Sequence, residues 1–303
     1  MKNSLNSCRA QYKVWLWIIV IIGAGTAAYL VYRVGEGLVD KPLHPPPTVE
    51  TNDDQVADGP EEQVAKDHVS LTSPITGRVP GDALNRAELA ARLVLPQLAP
   101  ALRTRGLRAG DPVFIRIFKA ERELELWIFH RKDRQFRLFK SYRIEGMSGN
   151  LGPKLAEGDR QAPEGFYFVN RGRMNPNSRY HLSFDLGYPN TFDRDHDRTG
   201  SYLMVHGSWV SAGCFAMTDY GIEEIYTLAD AALSGGQRYF RVHIFPFRMT
   251  DVAMAKRQGH KWFAFWENLR EGYAYFERRG VPPDVSSAAK RYAFADAAPL
   301  LID

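Results

Sequence analysis

Between Val14 and Tyr32 the chain carries an apolar run that no polar stripe interrupts, VWLWIIVIIGAGTAAYLVY. At 1.5 Å rise per helical residue, about 20 apolar residues cross the hydrocarbon core of a bilayer, so the run predicts one transmembrane helix. Trp15, Trp17, Tyr29 and Tyr32 sit at its ends, where interfacial aromatics collect. Lys2, Arg9 and Lys13 precede it, and Glu36 and Asp40 dilute the positive charge after it. That bias keeps the N-terminus in the cytoplasm and exports the rest, as a single-pass membrane protein. A cleaved signal peptide is the alternative, but its apolar core is usually shorter, whereas here Tyr29 to Tyr32 continue past the small residues. After residue 33 the periodicity lapses: Pro45, Pro46 and Pro47 lead into an acidic, polar stretch that reads as a linker. The pattern divides the chain into a cytoplasmic tip and anchor (1–33), a linker (34–80), a folded domain (81–250) and a helical C-terminal extension (251–303).

Helical periodicity opens the domain at Leu84, Leu89, Leu93, Leu95 and Leu98, the apolar positions of an amphipathic helix expected to end near Pro100. Beyond Gly110 the spacing shortens. VFIRIF, LELWIF, FRLFKSYRI, GFYFV, YHLSFDL, SYLMVH and FRVHIF are β-rich, several alternate with period two, and charged turns separate the first of them. They predict a mainly antiparallel β domain, a sandwich or partly closed barrel, with flanking helices. One helix, capped by Thr218 or Asp219, presents Ile222, Ile225, Tyr226, Ala229 and Leu233 and stops at Gly235-Gly236. A later one carries Trp262, Phe265, Trp266, Leu269, Tyr273 and Phe276 at helical spacing, an aromatic stripe better suited to core packing than to holding a sugar.

Composition adds exclusions. With 45% hydrophobic and 24% charged residues the chain is not disordered throughout, and its 39 basic and 35 acidic residues form no concentrated basic stripe, so nucleic acid is not expected as a partner. The two cysteines, Cys8 and Cys214, fall on opposite sides of the predicted membrane and cannot pair within one chain. A lone exported cysteine is a buried bystander, a partner for another molecule or a nucleophile. In LMVHGSWVSAGCFAMTD, His206 ends an apolar strand and Cys214 follows eight residues later in a Gly/Ser-rich turn. A thiol with a pKa of about 8.5 is mostly protonated at neutral pH, and a nearby imidazole can take its proton. Gly207 and Gly213 remove bulk where a substrate meets the backbone, and the amides of Gly213 and Cys214 can face a developing oxyanion. The same spacing also suits a core histidine and an inert buried thiol.

The joint pattern is more specific. HG…SxGC at a strand end, preceded by strands and by GDRQAPEGFYFV, resembles the YkuD-type L,D-transpeptidases. RYHLSFDLGYPNTFDR, RTGSYLMVHG and SAGCFAMTD resemble the YafK-like branch, over roughly residues 110 to 292. The resemblance implies a β-rich domain whose cysteine attacks a meso-diaminopimelate carbonyl in a peptidoglycan stem peptide and passes the acyl group to an amine or to water. It makes Cys214 the nucleophile, His206 the base, Gly213 part of the oxyanion turn and Ser211 the Ser/Thr of SxGC. Gly207 offers its carbonyl to orient His206. Ala212 and Ala216 stand where many members have a histidine and an arginine, and the flap is cut to SWVSAG. These departures favour an amidase or hydrolase, releasing a murein-attached lipoprotein, over a transpeptidase that forms cross-links or attaches protein. A catalytically silent murein-binding envelope protein is the third reading.

For substrate binding, His181, Tyr188 and Asn190 are candidates, with Arg194 and Arg198 as replacements for the missing cation. Each also has an ordinary structural reading as a strand, turn or solvated loop residue. Asp193, Asp195 and Asp197 alternate like calcium ligands, but the glycine and glutamate of such a loop are misplaced in either register. No HExxH-like spacing supports zinc, so neither a metal nor a cofactor is expected.

Overall fold

In the computed structural model, which describes residues 85–297, the most apolar runs become strands covered on both faces. β1 (Val113–Phe118) is buried along its whole length because it lies inside a five-stranded sheet of order β3-β2-β1-β9-β4. Its neighbours are β2 (Glu123–His130) and β9 (Tyr239–Phe245), with β3 (Gln135–Arg143) and β4 (Gly165–Asn170) at the edges. The polar residue in β1, Arg116, is tolerated there because its guanidinium lies 2.8 Å from Glu125 on β2. β3, at an edge, shows the more alternating burial that an exposed face allows.

Following β4 and its neighbours in sequence, β5 (Met174–Ser178), β6 (His181–Asp185), β7 (Met204–His206) and β8 (Phe215–Ala216) form a second sheet in that order. The pairing is mainly antiparallel, as expected, and is parallel at two places, β1 with β9 and β7 with β8. The two sheets are separate and neither closes into a barrel. One core joins them, with Ile115, Ile117, Val242 and Ile244 from the first sheet and Leu182, Phe184, Val205 and Phe215 from the second.

Helix α1 (Arg86–Thr104) does not stop at Pro100. Pro96 and Pro100 both lie on its exposed side, and the buried face is Ala90, Val94, Leu98 and Leu102, so the helix continues past both rings. A short helix, α2 (Thr191–Asp195), follows β6, and α3 (Asp219–Ser234) begins and ends as its caps predict, with the Thr218 hydroxyl accepting from Gly221 N–H and Gly235 closing the end. After residue 250 come α4 (Asp251–Ala255) and α5 (Phe263–Arg279), then a hairpin of β10 (Asp284–Ala288) and β11 (Arg291–Ala295) that a purely helical extension did not include. The aromatic stripe is core, with Trp266, Leu269, Tyr273 and Phe276 buried.

Trp266 also donates to Glu164 Oε2 at 2.9 Å, while Glu164 Oε1 accepts from Lys119 Nζ at 3.0 Å and Gly152 N–H at 2.6 Å. Lys119 completes its donors on the carbonyls of Gly152 and Ala162. Burial pushes the Lys119 pKa down, and Glu164 opposes that fall. This buried pair fixes the segment between β3 and β4 that lies against the Cys214 turn. No helix among the described residues is long and apolar enough to cross a membrane, and the Val14–Tyr32 run lies outside them.

Candidate functional site

β7 and β8 are only three and two residues long, and their parallel register pairs Val205 with Phe215 and His206 with Ala216. Cys214 immediately precedes β8, two residues before the partner of His206. Cys214 ends the bend that leads into β8, so the register sets the turn that carries it beside the start of β7. Met204 N–H points at Cys214 Sγ from 3.4 Å, and Sγ lies 3.6 Å from the Tyr202 carbonyl, so the thiol sits against the start of β7. Cys214 is half-buried and His206 is buried.

His206 Nδ1 lies 2.6 Å from the carbonyl oxygen of Gly207. Only a protonated Nδ1 can donate there, which leaves Nε2 with its lone pair. Tyr180, in the turn between β5 and β6, stacks on the imidazole at 4.7 Å between ring centroids. Burial pushes the His206 pKa below the usual imidazole range, with the Gly207 bond acting against it. Burial also pushes the Cys214 thiol up, while the Met204 N–H favours the thiolate. Both shifts favour the neutral forms of the two side chains.

The turn before Cys214 needs its glycine, since Gly213 has φ of +102° and its N–H donates to Ser148 Oγ at 2.7 Å. Ser148 in turn donates to the Arg160 carbonyl, and Ser211 Oγ donates to the Cys214 carbonyl, each at 2.7 Å. The Gly213 amide is thus engaged, whereas the Cys214 amide meets no acceptor among the described residues. Gly207 is enclosed: an added methyl would lie 2.6 Å from Asp219 Oδ1 and 2.8 Å from the Tyr180 carbonyl.

The other sequence candidates scatter. His181 flanks Gly207, but its Nε2 lies 2.7 Å from Glu223 Oε1 on α3. Tyr188 is buried and donates to the Lys154 carbonyl at 3.1 Å. Asn190 caps α2 and donates to the Phe166 carbonyl and to Tyr292. Arg194 is turned onto the Pro189 carbonyl and the Thr191 hydroxyl. Arg198 is buried in an ion pair with Asp193 at 2.8 Å. Neither arginine is presented beside Cys214 as a replacement cation. Asp195 binds the Ser287 hydroxyl, and no group of three or more His, Cys, Asp or Glu among the described residues is placed to hold a metal. Sequence reasoning missed Tyr180, Ser148 and Lys154. Lys154 is a buried cation held by Asp159 at 2.5 Å; Asp185 pushes the Cys214 thiol up, and Lys154 opposes it more weakly. Their signal was position alone, beside motifs already quoted.

No protein-family model matches the chain. Among solved structures, the helical cell shape determining protein Pgp2 of Campylobacter jejuni overlaps 59% of this chain and 67% of its own, at 20% identity and a TM-score of 0.36. Bd1075 of Bdellovibrio bacteriovorus overlaps 55% and 59%, at 22% identity and a TM-score of 0.32. Both overlaps are loose. Curated relatives are much nearer in sequence: YafK of Escherichia coli (strain K12), provisionally described as an L,D-transpeptidase, is 47% identical over 183 residues. The match spans 60% of this chain and 74% of the relative, and the protein of the same name from Escherichia coli O157:H7 matches equally. On that identity and coverage, the chain belongs to the L,D-transpeptidase family, in its YafK-like branch.

Proposed function

We propose that this protein is a peptidoglycan-directed cysteine acyl-enzyme that cleaves an amide at meso-diaminopimelate of a murein stem peptide. The observation that carries the reading is the bond from His206 Nδ1 to the Gly207 carbonyl, which leaves Nε2 as a base on the strand that pairs with β8, the strand Cys214 leads into. In the first step the thiol proton passes to Nε2 as sulfur bonds to the carbonyl carbon, and His206 then returns the proton to the departing amine. The Cys214 N–H is the donor left for the developing oxyanion. In the second step water adds to the thioester, loses its proton through His206 and releases the free acid, and the thiol is restored.

Water is favoured over a second stem as acceptor. Ala216 is wholly buried in β8 against Gly146, so no cation stands at that position, and Arg194 and Arg198 are bound elsewhere. A well-oriented amine gains an effective molarity of about 10⁵ M or more, so a thioester without an amine clamp falls to water. Release of a murein-attached lipoprotein is the same reaction with protein as the leaving amine. In the cell, the reading places the domain in the periplasm, tethered to the inner membrane through the Val14–Tyr32 run.

Mass spectrometry of murein fragments, with and without an attached lipoprotein peptide, tests the reading. Free-acid products from the wild type, none from Cys214→Ala and roughly 10²-fold fewer or less from His206→Ala are expected. Cross-linked dimers as the main product would replace the hydrolase reading with the transpeptidase one, and no product of either kind would favour a silent binding protein.

A further inference from the structure

The peptide unit between Gly207 and Ser208 is held from both sides. Its carbonyl accepts from His206 Nδ1 at 2.6 Å, and its N–H donates to Asp219 Oδ1 at 2.8 Å. Because a trans peptide is planar, with C=O and N–H pointing oppositely, the carboxylate and the imidazole face each other through one rigid dipole. Ser208 adopts a left-handed φ of +61°, an arrangement costing about 1–2 kcal/mol for a residue with a side chain. It is kept there by a second bond, in which Thr218 N–H donates to the Ser208 carbonyl at 2.9 Å. The start of α3 thus grips both backbone groups of Ser208, and the close packing around Gly207 leaves its plane no freedom to turn.

We propose that Asp219 is a positioning residue for the Cys214–His206 pair, acting on His206 through the Gly207–Ser208 peptide. The inference rests on the reading of His206 as the base. A carboxylate on the N–H side polarises the peptide, makes its carbonyl a better acceptor, locks the Nδ1–H tautomer and stabilises the imidazolium that forms when Nε2 takes the thiol proton. The Gly207 carbonyl thereby gains a charged group behind it, in the place a triad acid would occupy, with one peptide bond interposed. Asp219 also suits the first turn of α3, where negative charge is favoured, so the same residue serves helix and site. The other charged or titratable groups around His206 are few. Tyr180 covers one ring face from the β5–β6 turn, and on α3 Glu223 is occupied by His181, which flanks Gly207.

The test uses the purified full-length chain with ¹⁵N-labelled histidine, comparing wild type with Asp219→Asn and Asp219→Ala, and with Thr218→Ala as a control that weakens the same helix start without removing the carboxylate. NMR reads the tautomer and titration midpoint of His206, and iodoacetamide alkylation at a series of pH values reads the thiol. The wild type is expected to hold a single Nδ1–H tautomer. In Asp219→Asn the midpoint falls by about half a pH unit, a roughly 3-fold loss of basicity, and in Asp219→Ala the tautomer becomes mixed as well. Alkylation at pH 7 slows in the same order, and Thr218→Ala leaves the tautomer and midpoint as in wild type. A His206 tautomer and midpoint identical to wild type in Asp219→Asn overturns the inference. Asp219→Asn keeps an acceptor for Ser208 N–H, so it decides the matter even where Asp219→Ala fails to fold. His206→Ala separates the two failures. Unchanged alkylation there sinks the Cys214–His206 reading, whereas slowed alkylation there with unaltered Asp219 variants sinks this inference alone.

Discussion

A single methyl group distinguishes the two glycines of the site from residues that merely prefer flexibility. At Gly213 the backbone lies at φ of +102°, and a Cβ would approach the Gln161 carbonyl at 3.3 Å. Gly213→Ala is expected to cost about 1–2 kcal/mol from the backbone alone, visible as a lower melting midpoint. Relaxing that strain moves the adjacent Cys214, so turnover should fall more than stability does. At Gly207 the obstacle is contact with Asp219 and the Tyr180 carbonyl, so Gly207→Ala should disturb the His206 tautomer while the rest of the fold survives. Protonation states are also set residue by residue. His206 has its pKa lowered by burial and Cys214 has its pKa raised, so the neutral forms coexist over a wider window than free side chains allow. The acid limb of kcat/KM is therefore expected below the usual imidazole range of about 6.5, and the alkaline limb above the usual thiol range. A pH profile with its acid limb well above 6.5 contradicts this assignment.

At the scale of elements, the parts legible in the sequence were those encoded by near neighbours. Thr218 and Gly235 bound α3 as expected because caps are made within a few residues, and the Gly207 carbonyl reaches His206 because the two are adjacent. Partnerships across the chain were not legible. The parallel pairing of β1 with β9 joins segments that the second sheet separates, and local alternation carries no information about strand direction. α1 outran its expected end because whether a proline breaks a helix depends on which side faces water. Arg194 and Arg198 looked alike in sequence, yet one lies on the surface and the other pairs with wholly buried Asp193. Removing that cation strands a carboxylate in the interior, so Arg198→Ala should cost about 3–5 kcal/mol, whereas Arg194→Ala should change the melting midpoint little. Equal effects from the two would refute the distinction.

Over the whole molecule, two buried histidines couple stability to pH. His243 is packed between Phe114 and Phe166, its Nδ1 has no partner among the described residues, and burial lowers its pKa well below the usual range. For a group whose folded pKa is depressed, the stabilising contribution is complete above the unfolded value. It is lost as pH falls below about 6.5, at up to about 1.4 kcal/mol per pH unit for each histidine. Denaturant titrations should show stability falling between pH 6.5 and pH 5, and His243→Leu should reduce that slope; an unchanged slope would place the loss elsewhere. The neutral state of Cys214 has a consequence of another kind. Thiolates attack peroxides and disulfides, and a thiol held in its protonated form reacts with them slowly. Cys214 is the free cysteine among the described residues, half-buried and raised in pKa, so it is expected to resist oxidation by hydrogen peroxide at neutral pH longer than an exposed thiol does.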